Sequence, residues 1–116
     1  MNENTGIFYH FHGVFEKKCV ACETGGDPLS DDEVQKNLTS IPNWELDGKM
    51  IHREFEFQDF KEALIFVNKV GELAESEGHH PDITIHWNTV RLDLWTHSMN
   101  GLSENDFIVA SKIDQI

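Results

Sequence analysis

A helical pattern of apolar residues runs through the middle of the chain. It is carried by Phe60, Ala63, Leu64, Val67, Val70, Gly71 and Ala74. Asp59 and Glu62 form a capping pair in front of this stretch, and Gly78 followed by Pro81 is typical of a helix end. The pattern therefore predicts one long helix that begins just after Asp59, ends at Gly78 and has Glu75 in its last turn.

Stretches with alternating apolar residues on both sides of this helix predict two β-hairpins. In the first hairpin, residues 43–47 and 50–57 are the strands and Asp47-Gly48 is the turn. In the second hairpin, Asn88-Thr89 is the predicted turn. Its alternating residues are Ile83, Ile85 and Trp87 before the turn and Val90, Leu92 and Leu94 after it, while Arg91, Asp93, Trp95 and His97 share the opposite face.

Capping residues predict two further helices. Ser30 with Glu33 indicates a helix over residues 31–38, and Ser103 with Asp106 indicates one over residues 104–114. The order α-β-β-α-β-β-α predicts an α+β domain of residues 28–116, with a four-stranded antiparallel sheet and helices packed on one face. Residues 1–27 carry an aromatic patch and a Gly-Gly break without a sustained period, which predicts an N-terminal arm that is partly ordered at best.

Composition narrows the class of protein. A chain of 116 residues accommodates one domain, and 9 basic against 21 acidic residues give a net charge of −12. Such a chain repels phosphate backbones, so we expect no direct nucleic-acid binding. No run of about 18–20 apolar residues offers a membrane span, and the acidic, polar start does not resemble a secretory signal. A cytoplasmic location, without membrane association, is the resulting expectation.

Three histidines are the main candidates for chemistry. His79 and His80 leave the long helix together, and His97 ends the last strand. If the helix exit and the strand end meet at one rim of the sheet, the three imidazoles converge. The ordinary pKa of histidine, about 6.5, suits general acid and base catalysis near neutrality. Two alternatives remain open at this point: polar loop residues beside a helix C-terminus, where a cationic histidine is favoured, and a metal site.

The N-terminal arm offers a second candidate site. His10 and His12, with Cys19 and Cys22, form two nitrogen and two sulfur donors that fit a zinc set. The spacing between the two pairs is shorter than in usual zinc fingers, so chance is the preferred explanation and no metal is expected. The two cysteines should be reduced in a cytosolic protein, and no βαβ pattern supports a thioredoxin-like role.

The segment EGHHPDITIHWNTVRLDLWTHSMNGLSENDF resembles the signature of the pterin-4a-carbinolamine dehydratases. The matching positions are Glu75, His79, His80, Pro81, Trp87, Thr96, His97, Gly101, Leu102, Ser103 and Asp106, and the stretches around Trp44 and FQDFKEALIFVNKV are also similar. The resemblance covers roughly residues 28–116. This sequence departs from many relatives at Ile83 and Thr84 and at residues 98–100, which affects the expected pocket shape.

The resemblance implies dehydration of 4a-hydroxytetrahydropterin to quinonoid dihydropterin, a step of tetrahydrobiopterin recycling that needs no cofactor. It implies that His79, His80 and His97 exchange protons with the pterin, and the sequence leaves open which one is the acid. The resemblance also implies that Pro81, Thr96, Ser98, Met99 and Trp44 bind the substrate, with Glu75 and Asp106 orienting the histidines. Trp44 has an equally good alternative as a tryptophan that covers the core.

The resemblance also implies partners. Relatives form dimers or tetramers, so a homodimer or homotetramer is expected, and the reaction implies a functional link to an aromatic amino-acid hydroxylase. Two alternative functions remain. One is a protein-binding module that acts as the dimerisation cofactor of a transcription activator, and the other is a dehydratase-like protein that acts on another pterin.

Overall fold

A computed structural model of the protein describes residues 27–116. In chain order these residues form α1 (Asp31–Leu38), β1 (Glu45–Asp47), β2 (Met50–Glu56), α2 (Phe60–Glu77), β3 (Asp82–His86), β4 (Thr89–Leu94), a short 3₁₀ helix (His97–Met99) and α3 (Glu104–Ile113). This order confirms the predicted α+β arrangement. The arm predicted over residues 1–27 lies almost wholly outside the described residues, and so do the candidate zinc ligands His10, His12, Cys19 and Cys22.

The four strands form one antiparallel sheet in the order β1-β2-β4-β3. The register pairs Ile51 with Leu94 and Ile85 with Val90, so apolar side chains of neighbouring strands lie on the same face. Each hairpin therefore contributes one central strand and one edge strand. The two central strands, β2 and β4, join the hairpins through six paired residues on each strand.

The turn of the second hairpin differs from the prediction. It lies at Trp87-Asn88, and Thr89 belongs to β4, where it pairs with His86. The register places Ile85 opposite Val90, which leaves only Trp87 and Asn88 to make the connection. Trp87 adopts a φ of 50° and is 66% exposed, so it is a turn residue and not the strand residue that the alternation predicted. Asn88 is fixed in place because its Nδ2 donates to the carbonyl oxygen of Phe57 at 2.9 Å.

Helix boundaries follow the predicted capping residues. The side chain of Ser30 accepts a hydrogen bond from the Glu33 backbone N–H at 3.2 Å, and Asp59 accepts one from the Glu62 N–H at 2.9 Å. At the other end of α2, Gly78 adopts a left-handed φ of 68°, which releases the chain from the helix. Within residues 27–116, none of the helices is both long and apolar enough to cross a membrane.

The core lies between one face of the sheet and the helices. The Phe66 ring of α2 packs on Phe55 and Phe57, with ring centroids 4.7 and 5.0 Å apart. The largest fully buried apolar side chains come from the sheet, from the helices and from the segment between α1 and β1: Ile41, Ile51, Val70, Val90, Leu92, Leu94, Phe107, Ile108, Val109 and Ile113. Helix α3 is buried along almost its whole length, so most of its side chains belong to the interior of the domain.

Trp44 belongs to this core. Its side chain is only 4% exposed, and its indole Nε1 donates to Asp114 Oδ1 at 2.9 Å. The Arg53 guanidinium donates to the same carboxylate oxygen at 2.6 Å and lies over the Phe55 ring. Because Asp114 is the residue that ends α3, this set of contacts ties the first hairpin to the C-terminal end of that helix.

Candidate active site

The exit of α2 and the end of β4 form one cavity of about 470 Å³. Its lining residues come from two short stretches and from α3: Gly78, His79, His80, Pro81, Asp82, Trp95, Thr96, His97, Ser98 and Asn105. The three histidines singled out in the sequence therefore line the same cavity. They meet there because Gly78 and buried Pro81 turn the chain into β3, whose antiparallel partner β4 returns to the same rim.

Not every residue predicted to bind substrate reaches this cavity. Pro81, Thr96 and Ser98 line it, whereas Trp44 and Met99 do not. Trp44 is held in the core by Asp114, which agrees with the alternative interpretation of that residue. Met99 is half-buried, and its backbone N–H donates to the Thr96 carbonyl at 3.2 Å, within the loop itself. The hydroxyl of Thr96 is also engaged, since it donates to Asp106 Oδ2 at 2.8 Å.

His79 is the most firmly held of the three histidines. Its Nε2 lies 2.7 Å from Asp106 Oδ1, and its side chain is only 13% exposed. The Asp106 side chain is completely buried, and its second oxygen accepts from the Thr96 hydroxyl and from the Ser103 backbone N–H at 2.9 Å. Burial of a carboxylate is costly unless it is paired and hydrogen-bonded, and here both oxygens have partners. The predicted pairing of Asp106 with a histidine thus has a definite geometry.

His80 is held much more loosely. Its Nε2 lies 2.5 Å from Glu75 Oε2, so the residue in the last turn of α2 does face this histidine. Their side chains are 55% and 79% exposed, respectively. Exposed ion pairs contribute at most about 1 kcal/mol, because water screens the charges and two mobile side chains must be fixed. Glu75 can therefore bias the orientation of His80 without locking it.

His97 is positioned by an aromatic neighbour that the sequence analysis did not select. The His97 and Trp95 ring centroids are 4.0 Å apart, with an angle of 37° between the ring planes. Trp95 is half-buried against the core and lines the cavity, so it forms a flat wall beside the imidazole. The sequence could have indicated Trp95 as a site residue, because it lies two residues before His97 and on the same predicted strand face, opposite the apolar one.

A closed loop presents His97 and Ser98. The backbone N–H of Thr96 donates to the Gly101 carbonyl at 2.8 Å, and that of Gly101 donates to the Thr96 carbonyl at 3.3 Å. A Cβ atom on Gly101 would lie 2.8 Å from the Pro28 Cβ, closer than side chains tolerate. Glycine at position 101 therefore lets the start of the domain pack against the loop that carries His97.

A second cavity, of about 500 Å³, lies elsewhere in the domain. It is lined by Asn43, Glu45, His52, Arg53 and Glu54 and shares no residue with the histidine cavity. It contains one histidine, and the Arg53 guanidinium is already bound to Asp114. No group of three or more His, Cys, Asp or Glu residues is arranged to hold a metal ion in the part of the chain that the structure describes. The histidine cavity is therefore the candidate active site.

Comparison with known proteins identifies relatives of this chain. A curated protein of Alkaliphilus metalliredigens (strain QYMF), named "Putative pterin-4-alpha-carbinolamine dehydratase", is 45% identical over 106 residues, covering 90% of this chain and 96% of that protein. A crystal structure of a transcriptional coactivator/pterin dehydratase from Brucella melitensis has a TM-score of 0.72 and 34% identity, covering 77% of this chain and 97% of that one.

A more distant structure has another role. It is a pterin dehydratase-like protein identified as a RuBisCO assembly factor in the alpha-carboxysome, with a TM-score of 0.55 and 25% identity, covering 63% of this chain and 87% of that one. The family model described as pterin 4 alpha carbinolamine dehydratase matches residues 27–116. This family match spans the whole described domain, and the chain belongs to the pterin-4a-carbinolamine dehydratase family.

Proposed function

We propose that this protein dehydrates a 4a-hydroxytetrahydropterin to the quinonoid dihydropterin by histidine acid–base catalysis. The observation that carries the proposal is the convergence of His79, His80 and His97 on one cavity, with His79 held by buried Asp106. Family membership supports the substrate class. The proposed biological setting is the recycling of tetrahydrobiopterin after an aromatic amino-acid hydroxylase has acted.

The chemistry requires two proton transfers. The C4a–O bond breaks as the oxygen receives a proton and leaves as water, while a ring nitrogen loses a proton and its electron pair forms the new C=N bond. A proton donor and a proton acceptor must therefore face the same bicyclic ring, and each contributes about 100- to 10,000-fold when well placed. Three imidazoles around one cavity supply both functions without a nucleophile or a redox group.

The walls of the cavity suit a flat ring. Trp95 offers an aromatic face, and Pro81 and Ser98 line the cavity with it. We expect the pterin to stack on Trp95, which replaces Trp44 in the role that the resemblance gave to an aromatic residue. His97 already contacts the Trp95 ring, so a pterin held against Trp95 would also lie close to this imidazole.

Purified protein should accelerate the loss of water from freshly generated 4a-hydroxytetrahydropterin, followed by the absorbance change as quinonoid dihydropterin forms. The rate should exceed that of the spontaneous reaction in proportion to the protein concentration. A rate equal to the spontaneous one, for pterins with different side chains, would exclude this function and favour a dehydratase-like protein with another role.

Trp95→Ala should raise the KM for the pterin by about tenfold, because stacking of a planar base on an aromatic ring contributes about 1–3 kcal/mol. Trp95→Phe keeps an aromatic face and should retain most of the affinity. Trp87→Ala is the matched control, since Trp87 is exposed at the hairpin turn and does not line the cavity. Steady-state kinetics of the three variants test the assignment, and an unchanged KM in Trp95→Ala would contradict it.

A second candidate function is protein binding. Phe60, Leu64 and Ile65 are exposed on α2, and large exposed apolar side chains that lie together mark contact surfaces. The solved relatives described as a coactivator and as an assembly factor support this alternative. The same side chains would serve the proposed homodimer or homotetramer. A sedimentation measurement of the assembly, together with pterin turnover, separates the two functions, because a stoichiometric partner without turnover would favour binding.

A further inference from the structure

A chain of buried hydroxyl groups ends on the carboxylate that holds His79. Ser103 Oγ lies 2.6 Å from Thr96 Oγ1, and Thr96 Oγ1 lies 2.8 Å from Asp106 Oδ2. Thr96, Ser103 and Asp106 are all buried. Polar groups in such surroundings are ordered by their hydrogen bonds, because water cannot replace a lost partner. The direction of each bond in this chain can therefore be worked out.

The donor of each hydrogen bond follows from the groups involved, beginning at the Asp106 carboxylate. The Ser103 backbone N–H can only donate, and it donates to Asp106 Oδ2 at 2.9 Å. The Thr96 hydroxyl donates its single hydrogen to the same oxygen. Since that hydrogen is used, the Ser103 hydroxyl must donate to Thr96. All bonds point toward Asp106, which accepts at Oδ2 from two donors and is left to accept at Oδ1 as well.

The partner at Oδ1 is His79 Nε2, at 2.7 Å. With Asp106 taken as the carboxylate, which has no hydrogen to donate, Nε2 carries the proton of this bond. A neutral imidazole has one donor and one acceptor nitrogen, which makes Nδ1 the acceptor. Nδ1 is then the ring atom that His79 can offer to a molecule in the cavity.

We propose that Thr96 and Ser103 are positioning residues that act through Asp106 to hold His79 in the Nε2–H tautomer, so that Nδ1 is the ring nitrogen left to exchange a proton with the substrate. The inference rests on the proposed function for its catalytic meaning, while the tautomer is a property of the free protein. The proton taken up at Nδ1 gives an imidazolium that Asp106 stabilises across its Nε2–H bond.

Long-range ¹H–¹⁵N correlation spectra of the free protein test the tautomer directly. At a pH where His79 is neutral, its ring nitrogens should show the pattern of the Nε2–H form. Glu75→Gln is the matched control, because Glu75 contacts His80 and not His79, and it should leave the His79 pattern unchanged. A wild-type His79 in the Nδ1–H form would overturn the proposal.

Asp106→Asn is the variant that tests the direction of these hydrogen bonds most directly. Thr96 and the Ser103 N–H both donate to the Oδ2 position, so the amide should place its oxygen there and its NH₂ group toward His79. His79 Nε2 must then accept, and the spectrum should change to the Nδ1–H form. The kcat of this variant should fall by at least about 100-fold, because Nδ1 can no longer accept a proton. Retention of the Nε2–H form in a folded Asp106→Asn protein would contradict the proposed role of the two donors.

Two substitutions separate the effect of the Thr96 hydroxyl on kcat from the effect of the side-chain volume. Thr96→Val should lower kcat by about 10- to 100-fold, the usual cost of losing a group that orients a functional histidine, with KM nearly unchanged. Thr96→Ser keeps the hydroxyl and should restore most of the rate. Equal kcat values for the valine variant and the wild type would contradict the role of Thr96. Because the spectra need no substrate, absence of dehydratase activity would not affect the tautomer result.

Discussion

His79→Gln is expected to lower kcat/KM for dehydration by about 100- to 10,000-fold while the protein stays folded. Glutamine can donate its amide N–H to Asp106 and so keeps the buried carboxylate satisfied, but it cannot take up a proton at neutral pH. The variant therefore removes proton transfer by residue 79 and keeps the hydrogen bond to Asp106. His79→Ala should be at least as slow and also less stable, because it leaves Asp106 Oδ1 without its donor.

The other histidines provide a graded comparison. His80→Ala and His97→Ala should each slow the reaction, since both side chains line the cavity. His86→Ala is the matched control: His86 is exposed, pairs with Thr89 in the sheet and does not line the cavity. Steady-state rates for the five histidine variants, with the fold checked by circular dichroism, make the comparison. Wild-type turnover in His79→Gln and His80→Ala together would remove the histidine mechanism.

Phe107→Ala should lower the free energy of unfolding by about 3–5 kcal/mol, the usual cost of emptying a fully buried phenylalanine site. Phe107 is completely buried in α3, next to Asp106 in the sequence. Phe107 belongs to the buried core cluster, so removing its ring would leave a cavity inside that cluster. Urea unfolding at a fixed protein concentration measures the change.

Ile116→Ala is the control for this stability prediction. Ile116 is exposed at the end of the chain, so its loss should change the free energy of unfolding by no more than about 0.5 kcal/mol. A cost below about 1 kcal/mol in Phe107→Ala would contradict the close packing of α3 in the core.

The predictable part of the fold was set by local signals. Capping residues such as Ser30 and Asp59 act within one turn of helix, and Gly78 ends α2 by its own backbone preference, so each boundary could be predicted from a few neighbouring residues. The second turn could not, because its place depends on which residues of β3 and β4 pair across the sheet. The pairing of Ile85 with Val90 moved the turn to Trp87-Asn88.

The candidate site also has a part that could be predicted from the sequence and a part that could not. The three histidines could be selected from the sequence because their residue type and the resemblance both pointed to them. The roles of Trp44, Thr96 and Trp95 depend on which side of a chain segment faces the cavity, and this is decided by long-range contacts. Trp44 is held by Asp114, 70 residues away, and Thr96 is turned inward to Asp106.

Asp106 serves two purposes with one side chain. It accepts the Ser103 N–H that begins α3, and it holds His79. A lineage that lost the reaction would still need an acceptor at this helix start, so selection for folding alone would keep the aspartate. The presence of this residue in a related genome sequence is therefore a poor marker of enzymatic activity, whereas loss of the His79 or His97 equivalent is an informative sign that a relative has taken up a different role.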